Sequence, residues 1–299
     1  MTTLDHGPAP TDAAREPVHL LRAGSLTDAL AQLATEGAVP LGGGVGHALA
    51  RQARRPVTAR TLVAVADIPE LAGIAWTDDR IVIGAGVRLD AIASDTRLRE
   101  EWPVVAEAAG SVATARIRRM VTLGGNIAAR DDSHDPPVAL AAAGAVLTVR
   151  GAGHRRTLPV TEVGSLSAGE LVQDVRLPRS TPGARIGSAY EKFLVRGVWE
   201  YACVNVGAVV ALDESGTVER LSVAVGSVTG GPVVVDLGAL PGRVPDADLV
   251  AEAARLAAAA TRPYSDVRGS AAYKSLMIAE FTRRAVSKAA LRAAGGADR

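Results

Sequence analysis

The sequence predicts an α+β fold, and three observations carry that expectation. Strand-length β-branched segments alternate with helical stretches up to about residue 180. Pro178 and Pro182 then break the pattern and mark a linker. Beyond them, two long apolar segments, ACVNVGAVVAL and RLSVAVGSV, read as strands joined by a turn at DESG. Two helical stretches, DADLVAEAARLAAAA and SAAYKSLMIAEFTRRAVSKAAL, follow.

In chain order, residues 1–16 are polar and proline-containing and read as a disordered leader. SLTDALAQLATEG offers Ser25 as a helix N-cap, an apolar stripe at Leu26, Leu30 and Leu33, and Gly37 as its end. A short strand leads into the glycine cluster of VPLGGGVGHALA, with a helix expected after Gly46. TLVAVADI and RIVIGAGVRL are apolar and β-branched over strand lengths. LDAIASDTRLREEWPVVAEAAGSV predicts two helices, with Pro103 early in the second. After a second glycine cluster, TLGGNIAARDDSHD, the segments AVLTVRG and ELVQDVRLP read as strands.

A chain of 299 residues, 48% of them hydrophobic, is long enough for two or three compact units. Its formal charge of +1, from 33 basic and 32 acidic residues, gives no field that would steer a polyanion, so nucleic acid is not an expected partner. No apolar run approaches the roughly 20 residues that span a bilayer, and no signal-peptide core precedes residue 17, so the expected location is cytoplasmic. Cys203 is the single cysteine, which excludes an internal disulfide and a four-cysteine cluster within the chain; no metal site is expected. Any metal redox centre must sit on a partner.

The two glycine clusters invite a common explanation. Glycine lets backbone approach a ligand closely, and successive N–H groups in such turns make a concavity for anions. The helix start after the first cluster adds its dipole, and Thr122 and Asn126 add uncharged hydrogen-bonding groups beside the second. A carboxylate suits a sugar-like chain better than a phosphate; Asp135, stiffened from behind by Pro136 and Pro137, is the candidate. Neither cluster fits G-x-G-x-x-G in a βαβ unit or the Walker phosphate loop, which argues against a nicotinamide-binding Rossmann domain and a P-loop nucleotidase.

Taken in order, the segments PLGGGVGHAL, VAVADIPELAGI, IVIGAGVRLDAI, ARIRRMVTLGGNIAARDDSHDPPVALAAAGAVL, GELVQDVRLP, SAYEKFLVR and YSDVRGSAAYK resemble the FAD-binding medium subunit of molybdenum hydroxylases, the carbon monoxide dehydrogenase and xanthine dehydrogenase group. The resemblance implies a PCMH-type FAD-binding domain over residues 17–180, with two α/β subdomains of about 17–75 and 76–180. A C-terminal α+β domain over 185–299, with three antiparallel strands and helices, would follow. FAD would lie between the subdomains. Leu41, Gly42, Gly43, Gly44, Val45, Gly46 and His47 would hold its diphosphate from one side, and Thr122, Gly124, Gly125 and Asn126 from the other. Arg118 would neutralise the diphosphate or pair with a carboxylate, and Asp135 would reach the sugar-like portion. Tyr190 and Lys192 would approach the isoalloxazine, one packing on the ring and the other offsetting negative charge on reduced flavin.

The sequence departs from the family pattern at Val121 and Arg119 in the second loop and at Gly46 and His47 in the first. Valine is disfavoured at positive φ, so either the turn differs or that position does not require it. His47 is a candidate for covalent flavin attachment or base catalysis, against a plain histidine at a helix start. His134 is weighed between proton transfer and a loop role. Asp266 and Arg268 are expected to cap the C-terminal helix. Three functions follow: electron transfer through FAD between molybdopterin and 2Fe-2S subunits and an acceptor such as NAD or a quinone; a free-standing flavoenzyme acting on a small molecule; or a scaffold that has lost FAD.

Overall fold

The computed structural model describes residues 18–52, 59–180, 183–197, 199–238 and 240–296. The expected leader and Pro182 lie outside them. Among the described residues, the chain forms three sheets and ten α-helices in the order that follows.

The first sheet is parallel. Strand β1 (His19–Arg22) leads to helix α1 (Leu26–Leu33), β2 (Ala38–Leu41), helix α2 (Val45–Gln52) and β3 (Thr61–Ala64), with β3 in the middle. Ser25 caps α1 by accepting from the Asp28 N–H, and Leu26, Ala29, Leu30 and Leu33 bury its apolar face, as the spacing predicts. Helix α2 begins at Val45 rather than after Gly46, so Gly46 and His47 stand inside its first turn. Strand β1, which the sequence reading does not anticipate, lies at the open edge with all four residues exposed.

The second sheet is antiparallel and opens with β4 (Ile74–Trp76) and β5 (Arg80–Gly84). Three helices follow where two are expected: α3 (Leu89–Ser94), α4 (Thr96–Glu101) and α5 (Pro103–Gly110). Asp95 makes the difference, because its side chain accepts from the Leu98 N–H and restarts the helix. Pro103 then opens α5, where its missing N–H costs nothing. After α6 (Ala115–Arg118), α7 (Leu123–Ala128) and α8 (Asp135–Ala142), strands β6 (Val146–Gly151), β7 (His154–Pro159) and β8 (Leu171–Pro178) complete the order β4-β5-β8-β6-β7.

The third sheet is also antiparallel, formed by β9 (Arg185–Phe193), β10 (Val204–Leu212), β11 (Val218–Gly226) and β12 (Val233–Val234). The two-residue β12 is a fourth strand beyond the three expected. All nine residues of β10 are buried, because α8 covers one face of the sheet while α9 (Ala247–Ala260) and α10 (Ala271–Ala293) cover the other. Two glycines make the α8 contact possible. A Cβ at Gly226 would stand 2.3 Å from Val138, and one at Gly207 would stand 3.0 Å from Ala142. This packing brings the start of α8, at Asp135, to the ends of β9 and β10. Ser270, rather than Asp266 or Arg268, caps α10 by accepting from the Tyr273 N–H.

Candidate functional site

The two glycine clusters meet. A Cβ built on Gly43 would lie 1.7 Å from the Met120 carbonyl oxygen, and one on Gly42 would lie 2.3 Å from Thr122 Oγ1 and 3.6 Å from the Gly125 Cα. The first cluster is therefore side-chain-free chiefly because the second packs against it. Gly44, at φ +74, makes the turn itself and opens α2. Gly46 has open space where a side chain would be, so its lack of a Cβ answers to no neighbour among the described residues. Leu41, with its carbonyl bonded to the Val65 N–H, anchors the near side of the loop, and Val45 and half-buried His47 follow in the helix.

The second cluster is stitched to the end of β5. Leu123 N–H donates to the Val87 carbonyl at 2.9 Å, Gly124 N–H to the Ala85 carbonyl at 2.8 Å, and Leu89 N–H to the Val121 carbonyl at 3.0 Å. Gly124 is required here, because a Cβ would reach within 2.6 Å of the Ala85 side chain. Thr122 caps α7, its Oγ1 accepting from the Gly125 N–H. Neither Val121 nor Arg119 adopts positive φ, so the departure at Val121 introduces no strain. Asn126 is buried, and its Oδ1 has no hydrogen-bond partner among the described residues. Buried polar atoms rarely stay unsatisfied, so an N–H or O–H from a bound group is the fitting donor at this position.

Asp135, Tyr190 and Lys192 come together in a separate buried cluster. Tyr190 donates its hydroxyl to Asp135 Oδ1, Lys192 Nζ donates to Asp135 Oδ2 at 2.8 Å and to the Ser111 carbonyl at 3.2 Å, and Asn205 Nδ2 stands 3.4 Å from Asp135 Oδ1. Burial, followed by the neighbouring Asp135 charge, pushes the Tyr190 hydroxyl well above the ordinary phenol range, so it is a donor across the physiological pH range. The Asp135 carboxylate, expected at a sugar hydroxyl, here accepts from protein donors, and the Tyr190 ring, expected to pack on the isoalloxazine, is 6% exposed within the core.

The two clusters are joined through His134. Its Nδ1 lies 2.9 Å from the Asn126 carbonyl, and its ring stacks on Tyr201. The aspartates ahead of it are structural: Asp131 accepts from the Ser133 N–H, and the Asp132 carbonyl accepts from the Ser227 N–H. Arg118 stands apart. It donates to the Val112 and Ala113 carbonyls and lies 3.9 Å from Asp90, which favours the carboxylate alternative. Asn205 was not among the expected residues. Its signal was present in the sequence, as one amide inside an otherwise apolar nine-residue strand.

Comparison with known proteins gives this arrangement a family. Residues 16–180 match the FAD binding domain in molybdopterin dehydrogenase, and residues 188–289 match the CO dehydrogenase flavoprotein C-terminal domain. The carbon monoxide dehydrogenase medium chain of Afipia carboxidovorans is 32% identical over 280 residues, covering 90% of this chain and 95% of the relative. The 6-hydroxypseudooxynicotine dehydrogenase complex subunit alpha of Paenarthrobacter nicotinovorans is 31% identical over 242 residues, covering 78% and 80%. A crystal structure of the cyanide-inactivated Cu,Mo-CO dehydrogenase superposes with a TM-score of 0.86 at 31% identity, covering 92% of this chain and 98% of that one. With two glycine loops in contact, an unsatisfied buried amide in the helix that the second loop opens and both domain families matched, the chain belongs to the FAD-binding medium-subunit family of the molybdopterin dehydrogenases and is an oxidoreductase subunit.

Proposed function

We propose that this chain is the FAD-bearing electron-transfer subunit of a molybdenum hydroxylase-type complex. It would work between a partner carrying molybdopterin, a partner carrying 2Fe-2S clusters, and an acceptor such as NAD or a quinone. The relatives named as medium chains and complex subunits support the assembly, and a single cysteine leaves a four-cysteine iron-sulfur cluster to another chain. Bound FAD supplies the ability to take up an electron pair and release it in single steps, which suits a subunit standing between two-electron and one-electron carriers.

The observation that carries this reading is the contact of Gly42 and Gly43 with Met120 and Thr122, together with the unsatisfied Asn126 Oδ1 in the helix that follows. In the proposed arrangement residues 17–180 form the FAD-binding unit and the chain from residue 185 forms the C-terminal one. Leu41 to His47, with the N–H groups opening α2, face the diphosphate, and Thr122, Gly124, Gly125 and Asn126 close on it from the other subdomain. Lys192, 9% exposed and held by Asp135 and the Ser111 carbonyl, is the cation proposed to offset negative charge on the reduced cofactor. Tyr190 and Asp135 orient it. His47 lies at a helix start beside the diphosphate loop, a position suited to orienting that loop.

The test is the visible absorption spectrum of the purified chain, with the flavin identified after denaturation and the same chain used to capture partners from its native source. About one FAD per chain, with co-purifying proteins that contain molybdenum and iron, is the expected result. A colourless chain that also fails to take up added FAD would overturn the reading.

A further inference from the structure

Arg88 belongs to neither glycine loop, yet it touches the point where they meet. It occupies the extended position just before α3, and its backbone forms a β-bridge with Thr122. Its Nη1 donates to the Met120 carbonyl at 2.8 Å, and its Nη2 donates to Asp67 Oδ1 at 3.2 Å. Met120 O is also the atom that confronts Gly43 across the loop contact. Asp67 follows β3, on the side of the first sheet, whereas Arg88 and Met120 belong with the second. One guanidinium thus joins both sheets and fixes the peptide at their junction.

We infer that Arg88 is a positioning residue for FAD, holding the two glycine loops at the separation that lets both address one diphosphate. The inference rests on the FAD-binding reading above. The energetic weight falls on the Met120 contact. The pair with Asp67 is exposed, at 31% and 82%, and such pairs contribute little alone. The Met120 carbonyl faces a glycine that carries no side chain, and the described hydrogen bonds give it no donor other than Arg88. Without the guanidinium, the Met120–Val121 peptide loses its fixed orientation and the first loop loses the surface it rests on. The loops would then have to be ordered by the ligand, at the expense of affinity.

The experiment compares the full-length wild type with Arg88→Met and Arg88→Lys. It reads FAD affinity by flavin fluorescence, amide hydrogen exchange over residues 42–46 and 120–124 in the FAD-free chain, and the thermal midpoint of that chain. Arg88→Met is expected to weaken FAD binding about five- to tenfold and to speed exchange in both loops, with the thermal midpoint of the FAD-free chain unchanged. Arg88→Lys, which keeps one donor for Met120, should recover most of both. Wild-type affinity and exchange in Arg88→Met would overturn the inference, as would a fall in thermal midpoint that accounts for the whole effect. If the wild type takes up no FAD, the cofactor reading fails for the isolated chain. The exchange comparison then decides the role of Arg88 by itself.

Discussion

Tyr190 on β9 gives its hydroxyl to Asp135 at the first position of α8, so a buried hydrogen bond joins the C-terminal sheet to the helix that follows the second glycine loop. Lys192, two residues along the same face of the strand, gives its ammonium to the other oxygen of that carboxylate. The two partners differ in what their loss leaves behind. Tyr190→Phe removes one donor from a carboxylate that keeps its counter-ion and should cost about 1–2 kcal/mol. Lys192→Met leaves Asp135, at 4% exposure, with no counter-ion and should cost about 3–5 kcal/mol. Urea unfolding of the two variants checks the ranking, and equal losses would show that the ion pair contributes no more than the hydroxyl.

Gly43 and Gly46 stand in one loop but answer to different constraints. Gly43→Ala places a methyl against the Met120 carbonyl, which is backbone and cannot move aside, so the loops must separate. FAD content should fall to background, with a loss of stability of about 1–3 kcal/mol from overpacking. Gly46→Ala meets no atom of the described residues within 4 Å and lies at ordinary helical φ, so the FAD-free chain should gain about 0.5–1 kcal/mol. Its FAD affinity is the informative quantity. A loss of affinity in a stabilised chain marks Gly46 as a point of cofactor approach, and an unchanged affinity removes it from the site.

Glu170 should govern part of the acid sensitivity. The Arg156 guanidinium beside it, with His154 and the Ser167 N–H, holds its carboxyl down to about 2 from an ordinary 4.5, against a smaller opposing effect of burial. A depressed carboxylate contributes stability that is complete above the unfolded value and lost as pH falls through the folded one. The window is therefore about pH 4.5 down to about pH 2. Arg156 and His154 are 35% and 51% exposed, so solvent screening limits the contribution to about 1–2 kcal/mol. Glu170→Gln should lower stability by that amount at pH 7 and converge with the wild type only below about pH 2; parallel curves throughout would refute the assignment.

Much of the fold was legible in local chemistry. Ser25 ahead of a Leu26, Leu30, Leu33 stripe specified α1, and the β-branched runs at Val204–Leu212 and Val218–Gly226 specified the buried hairpin of the third sheet. The misses have local causes as well. Asp95 splits a helix in a segment whose periodicity looks continuous, and β1 and β4 are only four and three residues long, too short for an alternation to show. At the site, the glycine loops and Asn126 could be identified because glycine and amide chemistry is restrictive. What Gly42 and Gly43 make room for could not, since Met120 and Thr122 are brought there only by the tertiary fold. The protein partners of Asp135 were hidden for the same reason: Tyr190, Lys192 and Asn205 lie at least 55 residues away in sequence.

Lys274 gives the sharpest test of how a misjudged residue works. Asp266 was expected at a helix cap, but its carboxylate instead pairs with fully buried Lys274 at 3.0 Å and with Arg268 at 2.9 Å, and the Lys274 ammonium lies 4.4 Å from the centre of the Tyr264 ring. The pair is asymmetric. Lys274→Met removes a buried charge while Asp266 retains Arg268, and methionine fills a similar volume, so the change should fall within about 1.5 kcal/mol of wild type. Asp266→Ala leaves the ammonium at zero exposure with an aromatic face as its remaining charge-stabilising neighbour, and should cost about 3–5 kcal/mol. The double variant should recover most of that loss, because removing the lysine removes the stranded charge. Guanidinium unfolding of the three variants measures the coupling directly; strictly additive losses would mean that the ammonium finds water or another partner once Asp266 is gone.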